Sequence, residues 1–352
     1  MKSFFRRTIA VMCIAAMMVT GSSGAFAADT AGAKMPADGT YKAATFINSS
    51  MMNVAAEDNS ICTVTVKDGK AVAHLRLNGD GYEKLFVGTK AEAEKNKDES
   101  KCIPYTVDEA GRYVYDVPIE NFDEVFDLAA FSKARQKWYD RQAVFYLGAP
   151  EKTVITSAKT ADKAMSITWA KKTNYVTGYQ VRVSDTEDFS DPEMYILQEI
   201  NGNANNNYVL KNLKANTKKY FQVRTVRTVK VPFDDPSTEY AYSEWTPVKK
   251  VTTLSRITPT TLKTVTSPAK RTLNVTWTKK TANVTGYQVM YSTSSNFKNA
   301  KTVTVTKNTT TSRKLTKLTS GKKYYVKVRT YQEIGGEKYP SAWSAKKSVK
   351  VK

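Results

Sequence analysis

Histidine and cysteine are scarce in this sequence of 352 residues. His74 is the only imidazole, and the three thiols are Cys13, Cys62 and Cys102. A histidine-rich zinc site and a proton relay between two imidazoles are therefore excluded. Glycine-rich phosphate loops, nucleophile elbows and metal-ligand motifs are also missing. The sequence predicts a protein that is not an enzyme and holds no metal, although a glycosidase using two carboxylates leaves no local motif and stays as an alternative.

Hydrophobic runs long enough to cross a membrane are also missing. The apolar run at residues 8–19 is shorter than the ~20 residues that span a bilayer, so no transmembrane segment is expected. This run follows Arg6 and Arg7 and precedes Ala-Phe-Ala at 25–27, which is the pattern of a secretory signal with its cleavage site. We therefore predict a signal peptide at 1–27 and a secreted, extracellular protein that can associate with the cell surface.

Removal of the signal would leave two cysteines, Cys62 and Cys102, in an oxidising compartment. A disulfide between them would close a loop of about 40 residues and stabilise the domain by roughly 4 kcal/mol in the chain-entropy model. The alternative is a pair of separate buried thiols that act as small hydrophobic side chains. The sequence leaves both open.

Acidic residues are nearly missing from the last hundred residues. Lysine and arginine number 15 against 19 acidic residues in 28–150, 15 against 12 in 151–255, and 21 against 2 in 256–352. This step in charge favours three domains with those limits. Glycine (16) and proline (11) are too few for a collagen-like or disordered chain, and 41% hydrophobic residues are enough for ordinary cores.

The second and third segments repeat one another. Ile-Thr-Trp-Ala-Lys-Lys-Thr at 167–173 returns as Val-Thr-Trp-Thr-Lys-Lys-Thr at 275–281, and Gly-Tyr-Gln-Val follows each run. A Ser-x-Trp run also repeats near the end of each segment, at 243–245 and 341–343. Because the period is near 100 residues, it indicates tandem domains and not a solenoid. Aromatic residues at matching positions are predicted to fill the cores of a shared fold, in preference to stacking on a sugar.

Within each repeat the pattern is that of short β-strands. Val326, Val328 and Thr330 alternate with Lys327 and Arg329, which is the period of a strand with one buried face. About seven such strands in roughly 100 residues indicate a β-sandwich.

Both repeats resemble fibronectin type III domains. The resemblance rests on Trp169 and Trp277, each followed by Gly-Tyr-Gln-Val, and on Tyr324 just before the strand at Val326. It implies that these tryptophans fill the core and that the Tyr324 hydroxyl bonds back to the chain as a tyrosine corner. Lys219 stands at the equivalent place in the first repeat, so that repeat is predicted to lack this bond and to be the less stable one.

Residues 28–150 do not share the repeat but are also predicted as a β domain. Asp68-Gly69 between two alternating runs predicts a hairpin, and residues 90–97 are the one short helix expected. Further strands are expected at 113–117, 125–131 and 139–145. The whole chain is therefore predicted as all-β, with three consecutive β-sandwich domains, immunoglobulin-like or fibronectin type III-like, after the signal peptide.

The first domain is similar to the NEAT family of surface haem-binding domains. The similarity lies in Ser-Ser-Met-Met at 49–52, before the first hairpin, and in Trp-Tyr-Asp-Arg at 138–141, before the last strand. In that family one tyrosine of the last hairpin ligates haem iron and a second, four residues later, supports it. Tyr139 matches the first, and Ala143 stands at the second. The candidate ligand-binding residues are Met51, Met52, Trp138 and Tyr139. Haem is the one cofactor implied, and another small or polymeric ligand, or none, is the alternative.

The positive charge of the last domain predicts its partner. Lysine outnumbers arginine there by 17 to 4, and lysine lacks the bidentate fork used for specific phosphate and base contacts. Diffuse attraction to a polyanion is therefore expected, without sequence-specific nucleic-acid recognition. The candidate polyanion-binding residues are Lys279, Lys280, Lys322, Lys323, Lys346 and Lys347.

Together these features resemble a secreted bacterial surface protein with two tandem fibronectin type III modules. We predict a non-catalytic modular binding protein whose first domain binds a ligand. Its basic last domain is expected to be retained by anionic cell-wall or extracellular polymers. One alternative is a structural adhesin or envelope component that contacts surface proteins without a small ligand, and another is a haem-binding protein. For the charge itself, the alternative is a solubilising surface without a partner.

Overall fold

The computed structural model describes residues 35–191, 196–202 and 204–352. The predicted signal peptide at 1–27, with Cys13, lies outside the described residues. Within them the chain forms 25 β-strands, one α-helix and two short 3-10 turns. The α-helix is α1 (Lys90–Lys95), and the turns are Ala56–Asp58 and Glu99–Lys101. The predicted all-β class is confirmed.

Nine strands form the first domain: β1 (Gly39–Ile47), β2 (Ile61–Lys67), β3 (Lys70–Arg76), β4 (Tyr82–Val87), β5 (Ile103–Val107), β6 (Tyr113–Ile119), β7 (Phe126–Ser132), β8 (Lys137–Tyr139) and β9 (Gln142–Leu147). They pair antiparallel in the order β4-β5-β6-β3-β2-β1-β9-β7-β8, and β4 also pairs with β7. The backbone ladder therefore closes on itself. Closure protects these strands from pairing with another chain, because an open edge is a template for association.

Local sequence explains the hairpin and the helix that were predicted in the first domain. Asp68 and Gly69 join β2 to β3 with φ of 53° and 70°, the left-handed pair that a two-residue type I′ hairpin turn needs. Helix α1 begins at a capping box, in which Thr89 accepts from the backbone N–H of Glu92 and the Glu92 side chain bonds back to Thr89. It ends at Lys95, two residues before the predicted limit.

The two cysteines of the described chain are free thiols, so the candidate disulfide is not formed. Cys62 is buried in the main core of the first domain, where its sulfur accepts a hydrogen bond from Thr45 at 3.0 Å. Cys102 packs instead beside a separate apolar cluster around Trp138. Burial raises the pKa of Cys62 to about 12, which keeps it as an unreactive thiol. The alternative of separate thiols describes both residues.

The second and third domains have the same strand order, as the sequence repeat predicts. Strands of the second domain are β10 (Ile155–Thr160), β11 (Met165–Trp169), β12 (Gly178–Ser184), β13 (Ile196–Asn201), β14 (Asn207–Leu210), β15 (Lys218–Val231), β16 (Ser237–Tyr242) and β17 (Lys249–Thr252). Strands of the third are β18 (Leu262–Thr266), β19 (Leu273–Trp277), β20 (Gly286–Ser292), β21 (Lys301–Val305), β22 (Ser312–Leu315), β23 (Lys323–Ile334), β24 (Glu337–Pro340) and β25 (Lys347–Lys350). One sheet is β10-β11-β14 and the other is β13-β12-β15-β16, with β17 on β15; β18 to β25 repeat this arrangement.

The early tryptophans fill the space between the two sheets, as predicted. Trp169 and Trp277 are buried, and each packs on the tyrosine of its Gly-Tyr-Gln-Val run. The ring centroids of Trp169 and Tyr179 lie 5.3 Å apart, and those of Trp277 and Tyr287 lie 5.2 Å apart. Equivalent aromatic pairs thus anchor the two cores.

The tyrosine corner is present in the third domain and is replaced in the second. The Tyr324 hydroxyl accepts a hydrogen bond from the backbone N–H of Thr319 at 3.2 Å. At the equivalent position the Lys219 side chain is 8% exposed, and its ammonium pairs with Asp185 at 2.6 Å. An ion pair between a buried ammonium and a partly exposed carboxylate therefore takes the place of a neutral hydrogen bond.

The first and second domains share an interface with a polar and an apolar part. Arg227 of β15 donates from Nη1 to the carbonyl oxygens of Tyr146, Leu147 and Gly148. Beside it, an apolar cluster combines residues of both domains: Ala44, Phe46, Val144, Val231, Phe233 and Ala241. Because the cluster is buried and the arginine satisfies three chain carbonyls, the two domains pack as neighbours with matched surfaces.

Candidate functional site: the basic–aromatic face of the third domain

The long strand β23 divides its side chains between the core and the outer surface. Tyr324, Val326 and Val328 are buried, whereas Tyr325 and Lys327, which alternate with them, are partly exposed. Alternation places Lys323, Tyr325, Lys327 and Arg329 on the outer surface of the larger sheet. Residues of the connection between β24 and β25 complete this surface. We call the set Lys323, Tyr325, Lys327, Arg329, Trp343 and Lys346 the basic–aromatic face.

Cations and aromatic rings alternate across this face. Lys327 Nζ lies 4.9 Å and Arg329 Cζ lies 4.3 Å from the ring centroid of Trp343. The ammonium groups of Lys323 and Lys346 lie 5.6 and 5.7 Å from the ring of Tyr325. The rings hold the long cationic side chains in place through cation–π attraction without neutralising them. The face is therefore an ordered array of positive charge.

No carboxylate of the described third domain reaches this array. Its two acidic residues lie at the far end of β23 and in β24, where Glu333 pairs with Lys338 at 3.1 Å and Glu337 pairs with Lys211 of the second domain at 3.3 Å. Burial lowers the pKa of Arg329, but a guanidinium stays charged at neutral pH. The cations of the face are thus available for an anionic partner.

The structure gathers two of the six predicted lysines on this face. Lys323 and Lys346 lie beside Tyr325, and Lys322 directly precedes Lys323. Lys347 lies at the sheet margin, where its ammonium donates to the carbonyl of Lys263 at 2.8 Å. The remaining two lysines, Lys279 and Lys280, lie in the β19–β20 connection, before β20 begins at Gly286. The other end of β20, at Ser292, is the one that pairs with Tyr325 of the face.

Sequence reasoning missed Lys327, Arg329 and Trp343, and it misplaced one class of aromatic residue. The tryptophans of the Ser-x-Trp runs were expected in the cores, but they lie on the outside of the sheets. Trp245 stacks against Arg182 and Arg224 at 4.4 and 4.5 Å, as Trp343 does against its own cations. The period-two alternation of β23 was the signal that could have found this face, since it assigns every second residue to one surface.

The second domain carries an equivalent ladder of alternating cations and aromatic rings, formed by Arg182, Trp245 and Arg224, in a different setting. Arg224 also donates to the Asn59 side chain of the first domain at 2.9 Å, so part of this ladder serves the domain interface. Arg182 donates to Gln222 on the neighbouring strand. The second domain also has 12 acidic residues against 15 basic ones. The third domain alone combines the ladder with a large excess of positive charge.

The predicted ligand residues of the first domain do not form one site. Met52 is 1% exposed and belongs to the main core, whereas Met51 is 80% exposed. Trp138 is buried in a separate cluster with Phe86 and Phe131. Tyr139 is half-buried.

The haem pair that the NEAT resemblance implies is incomplete in the structure. Ala143, at the second position, is fully buried and carries no hydroxyl. The Tyr139 ring lies 5.1 and 5.3 Å from the cations of Lys137 and Arg141. The residues present therefore fit haem poorly, since one phenol stands where two are needed.

A cleft of about 630 Å³ is lined by Asp140 and Arg141, which directly follow Tyr139 in the chain, and the sequence did not indicate it. Its walls come from the start of α1, from the β8–β9 turn and from the β15–β16 loop of the second domain. The charged lining residues are Lys90, Glu94, Asp127, Asp140, Arg141 and Asp234. Asp140 accepts a hydrogen bond from the backbone N–H of Lys90 at 2.6 Å, which fixes one wall. Among the described residues, no group of three or more His, Cys, Asp or Glu side chains is arranged to hold a metal ion.

The fold and the face define a multidomain protein built from immunoglobulin-like β-sandwich modules. A fibronectin type III family model matches residues 148–240 and 258–347, which is more than half of the chain. The chain therefore belongs to the fibronectin type III family. Among curated protein sequences, none matches this chain with statistical significance.

Two solved structures are similar to this chain. One is the crystal structure of chicken CNTN1 FN1-FN3 domains, at 16% identity and a TM-score of 0.35, covering 80% of this chain and 94% of that one. Another is a segment of two fibronectin type III domains from chicken tenascin, at 17% identity and a TM-score of 0.24, covering 57% of this chain and all of that one. In the described part of the chain, no helix is long and apolar enough to cross a membrane.

Proposed function

We propose that this chain is an extracellular, non-catalytic binding protein that anionic polymers retain through the basic–aromatic face of its third domain. The observation that carries the proposal is the array of cations held on rings, which no carboxylate of the described third domain pairs with. Alternate residues of a strand are about 7 Å apart, so β23 presents a row of charges that a linear polyanion can follow. The excess of 21 basic over 2 acidic residues adds long-range attraction.

The test compares two double variants of the mature chain that remove the same charge. Lys323→Gln with Lys346→Gln changes the face, and Lys279→Gln with Lys280→Gln changes the opposite end of the domain. Binding to immobilised poly(glycerol phosphate) is measured over a range of salt concentrations, with neutral dextran as the blank. Two lost contacts of ~0.7 kcal/mol each should weaken Kd about tenfold for the face variant. The control variant should lose clearly less, and affinity should fall with rising salt.

Equal losses in the two variants would show that net charge, and not the face, retains the protein. Binding that does not change with salt would contradict an electrostatic mechanism altogether.

Selective recognition is assigned in this proposal to the first domain, because that domain supplies all but one of the residues that line the cleft. A ligand that binds only the folded protein raises its melting temperature, so the mature chain is screened by thermal shift against glycans, wall fragments and haemin. A shift that Asp140→Asn abolishes would support recognition at the cleft. A haemin Soret band that Tyr139→Phe abolishes would support the haem alternative. No shift with any of these ligands would contradict selective recognition and favour a structural adhesin.

A further inference from the structure

One lysine and two tyrosines form a close cluster on the first domain, outside the residues that line the cleft. The ring centroids of Tyr105 and Tyr113 lie 3.9 Å apart, and the ring planes differ by only 10°. Lys133 Nζ donates to the Tyr113 hydroxyl at 2.7 Å and lies 4.4 and 4.0 Å from the two ring centroids. All three side chains are half-buried. The cluster is therefore ordered and still open to small molecules.

Strand register explains why the rings of Tyr105 and Tyr113 lie on the same face of the β5–β6 pair. In the β5–β6 ladder Tyr105 lies opposite Tyr115 and Val107 lies opposite Tyr113, so Tyr105 and Tyr113 are diagonal neighbours on one face. Both rings also contact the same ammonium group, because Lys133 Nζ lies 4.4 Å from the centroid of Tyr105 and 4.0 Å from that of Tyr113. With nearly parallel rings whose centroids are 3.9 Å apart, carbon atoms of one ring lie in van der Waals contact with carbon atoms of the other.

We propose that Tyr105 and Tyr113 are an oxidative modification site, at which a one-electron oxidant joins the two rings as dityrosine. Each phenol loses one electron and its hydroxyl proton and becomes a phenoxyl radical. One carbon–carbon bond then forms between the two ortho carbons, and each ring regains its aromaticity when the hydrogen on that carbon moves to the phenoxyl oxygen. The two electrons and two protons released reduce one hydrogen peroxide to two waters, with a haem peroxidase as the electron carrier.

The stacked geometry suits this bond-forming step. The new bond develops from carbon p orbitals that stand perpendicular to the ring planes, so parallel rings in van der Waals contact are already aligned for it. Holding two reacting groups in such an arrangement replaces an encounter in solution by a step within one molecule. Each β-strand anchors one ring, so the pair stays together after the first radical forms.

Lys133 favours oxidation of Tyr113 over oxidation of the neighbouring Tyr115. Its hydrogen bond, with that of Tyr105, lowers the pKa of Tyr113, which increases the phenolate fraction, and a phenolate gives up an electron more readily than a phenol. Tyr115 has the opposite setting, since burial raises the pKa of its phenol and its hydroxyl donates to the carbonyl of Tyr82 at 2.8 Å. Coupling is thus directed to the stacked pair.

A cross-link here would join β5 covalently to β6. The first domain has no disulfide among its described residues, because Cys62 and Cys102 are free. A bond between these strands would remove freedom from the unfolded chain, as a disulfide does. Dityrosine would therefore stabilise the hairpin by oxidation without using either thiol.

The experiment treats the mature chain with hydrogen peroxide and a haem peroxidase, and then maps cross-linked peptides by mass spectrometry. We expect a loss of two hydrogens in a product that joins Tyr105 to Tyr113, together with dityrosine fluorescence. Tyr240 and Tyr242 serve as a control within the molecule, because their rings are nearly parallel but 6.4 Å apart. The stacked pair should give at least about tenfold more cross-link than this control pair, because proximity governs the step.

Variants test the assigned roles. Tyr113→Phe and Tyr105→Phe should each abolish the product, and the circular dichroism spectrum of each variant shows whether the domain is folded. Lys133→Met keeps both rings but returns the pKa of Tyr113 toward its ordinary value, so the dependence of the coupling rate on pH should move to higher pH. The proposal is overturned if folded wild-type protein gives no Tyr105–Tyr113 product, or if Tyr240 and Tyr242 couple equally well.

Discussion

Replacing Arg227 by methionine is expected to separate the unfolding of the first domain from that of the second. The guanidinium donates to the carbonyl oxygens of Tyr146, Leu147 and Gly148 at 3.2, 2.9 and 2.5 Å. Burial lowers its pKa, so these charged hydrogen bonds act in a poorly hydrated place. Such a bond contributes about 1.5–3 kcal/mol, and methionine would leave the carbonyls of the domain junction without this partner. We expect a loss of roughly 3 kcal/mol of coupling between the domains.

Differential scanning calorimetry of the mature chain measures this coupling. Wild-type protein should show the first and second domains unfolding together, whereas Arg227→Met should show two resolved transitions. The apolar contacts of Phe46 and Phe233 remain in the variant, so both domains should stay folded at low temperature. Arg135→Met, at an exposed turn of the first domain, is the matched control and should leave the trace unchanged. An unchanged calorimetric trace for Arg227→Met would show that Arg227 does not couple the two domains.

Replacing Asp185 by asparagine is expected to destabilise the second domain more than removal of its partner Lys219. The Lys219 side chain is 8% exposed and that of Asp185 is 36% exposed. Without Asp185, the ammonium remains buried and unpaired, which costs several kcal/mol in a fully buried pair. Because Asp185 is partly hydrated, we expect about 2 kcal/mol here. Lys219→Met leaves a carboxylate that water can reach, and it should change stability by less than about 1 kcal/mol.

Urea unfolding of the two variants, followed by tryptophan fluorescence, tests this asymmetry. Glu187→Gln is the control, because it removes a carboxylate from an exposed position two residues away. Asp185→Asn should lower the midpoint clearly and the control should not. Equal midpoints for Asp185→Asn and Lys219→Met would mean that Lys219 can reach water when unpaired, contrary to its burial.

The ion pair of Lys219 with Asp185 also affects the predicted order of stability of the two repeats. The sequence showed that Lys219 cannot form the tyrosine corner, but it did not show that Asp185 would lie beside it. That contact joins the end of β12 to the start of β15, two strands that are distant in sequence and adjacent in the sheet. The lower stability of the second domain therefore stays a prediction, and separate melts of the second and third domains would test it.

Local patterns predicted the elements that short-range physics controls. Asp68-Gly69 indicated the β2–β3 hairpin because only a few residue types accept left-handed φ angles at both central positions. Alternation indicated the strands of both repeats. The sequence could not decide the pairing of Cys62 with Cys102, because side-chain proximity depends on where two remote strands lie, and each cysteine packs in its own cluster.

The sequence by itself determined an all-β chain and two repeated fibronectin type III domains. It also determined that the second repeat, which is the third domain, has 19 more positive than negative charges. These follow from residue type and spacing, which act over a few neighbours or a constant period. Only the tertiary structure decided that Trp343 lies on the same face as Lys327 and Arg329, that Arg227 bonds to the junction of two domains, and that Tyr105 stacks on Tyr113. Each of these contacts joins strands or loops whose adjacency depends on sheet order and register, and no local rule specifies that order.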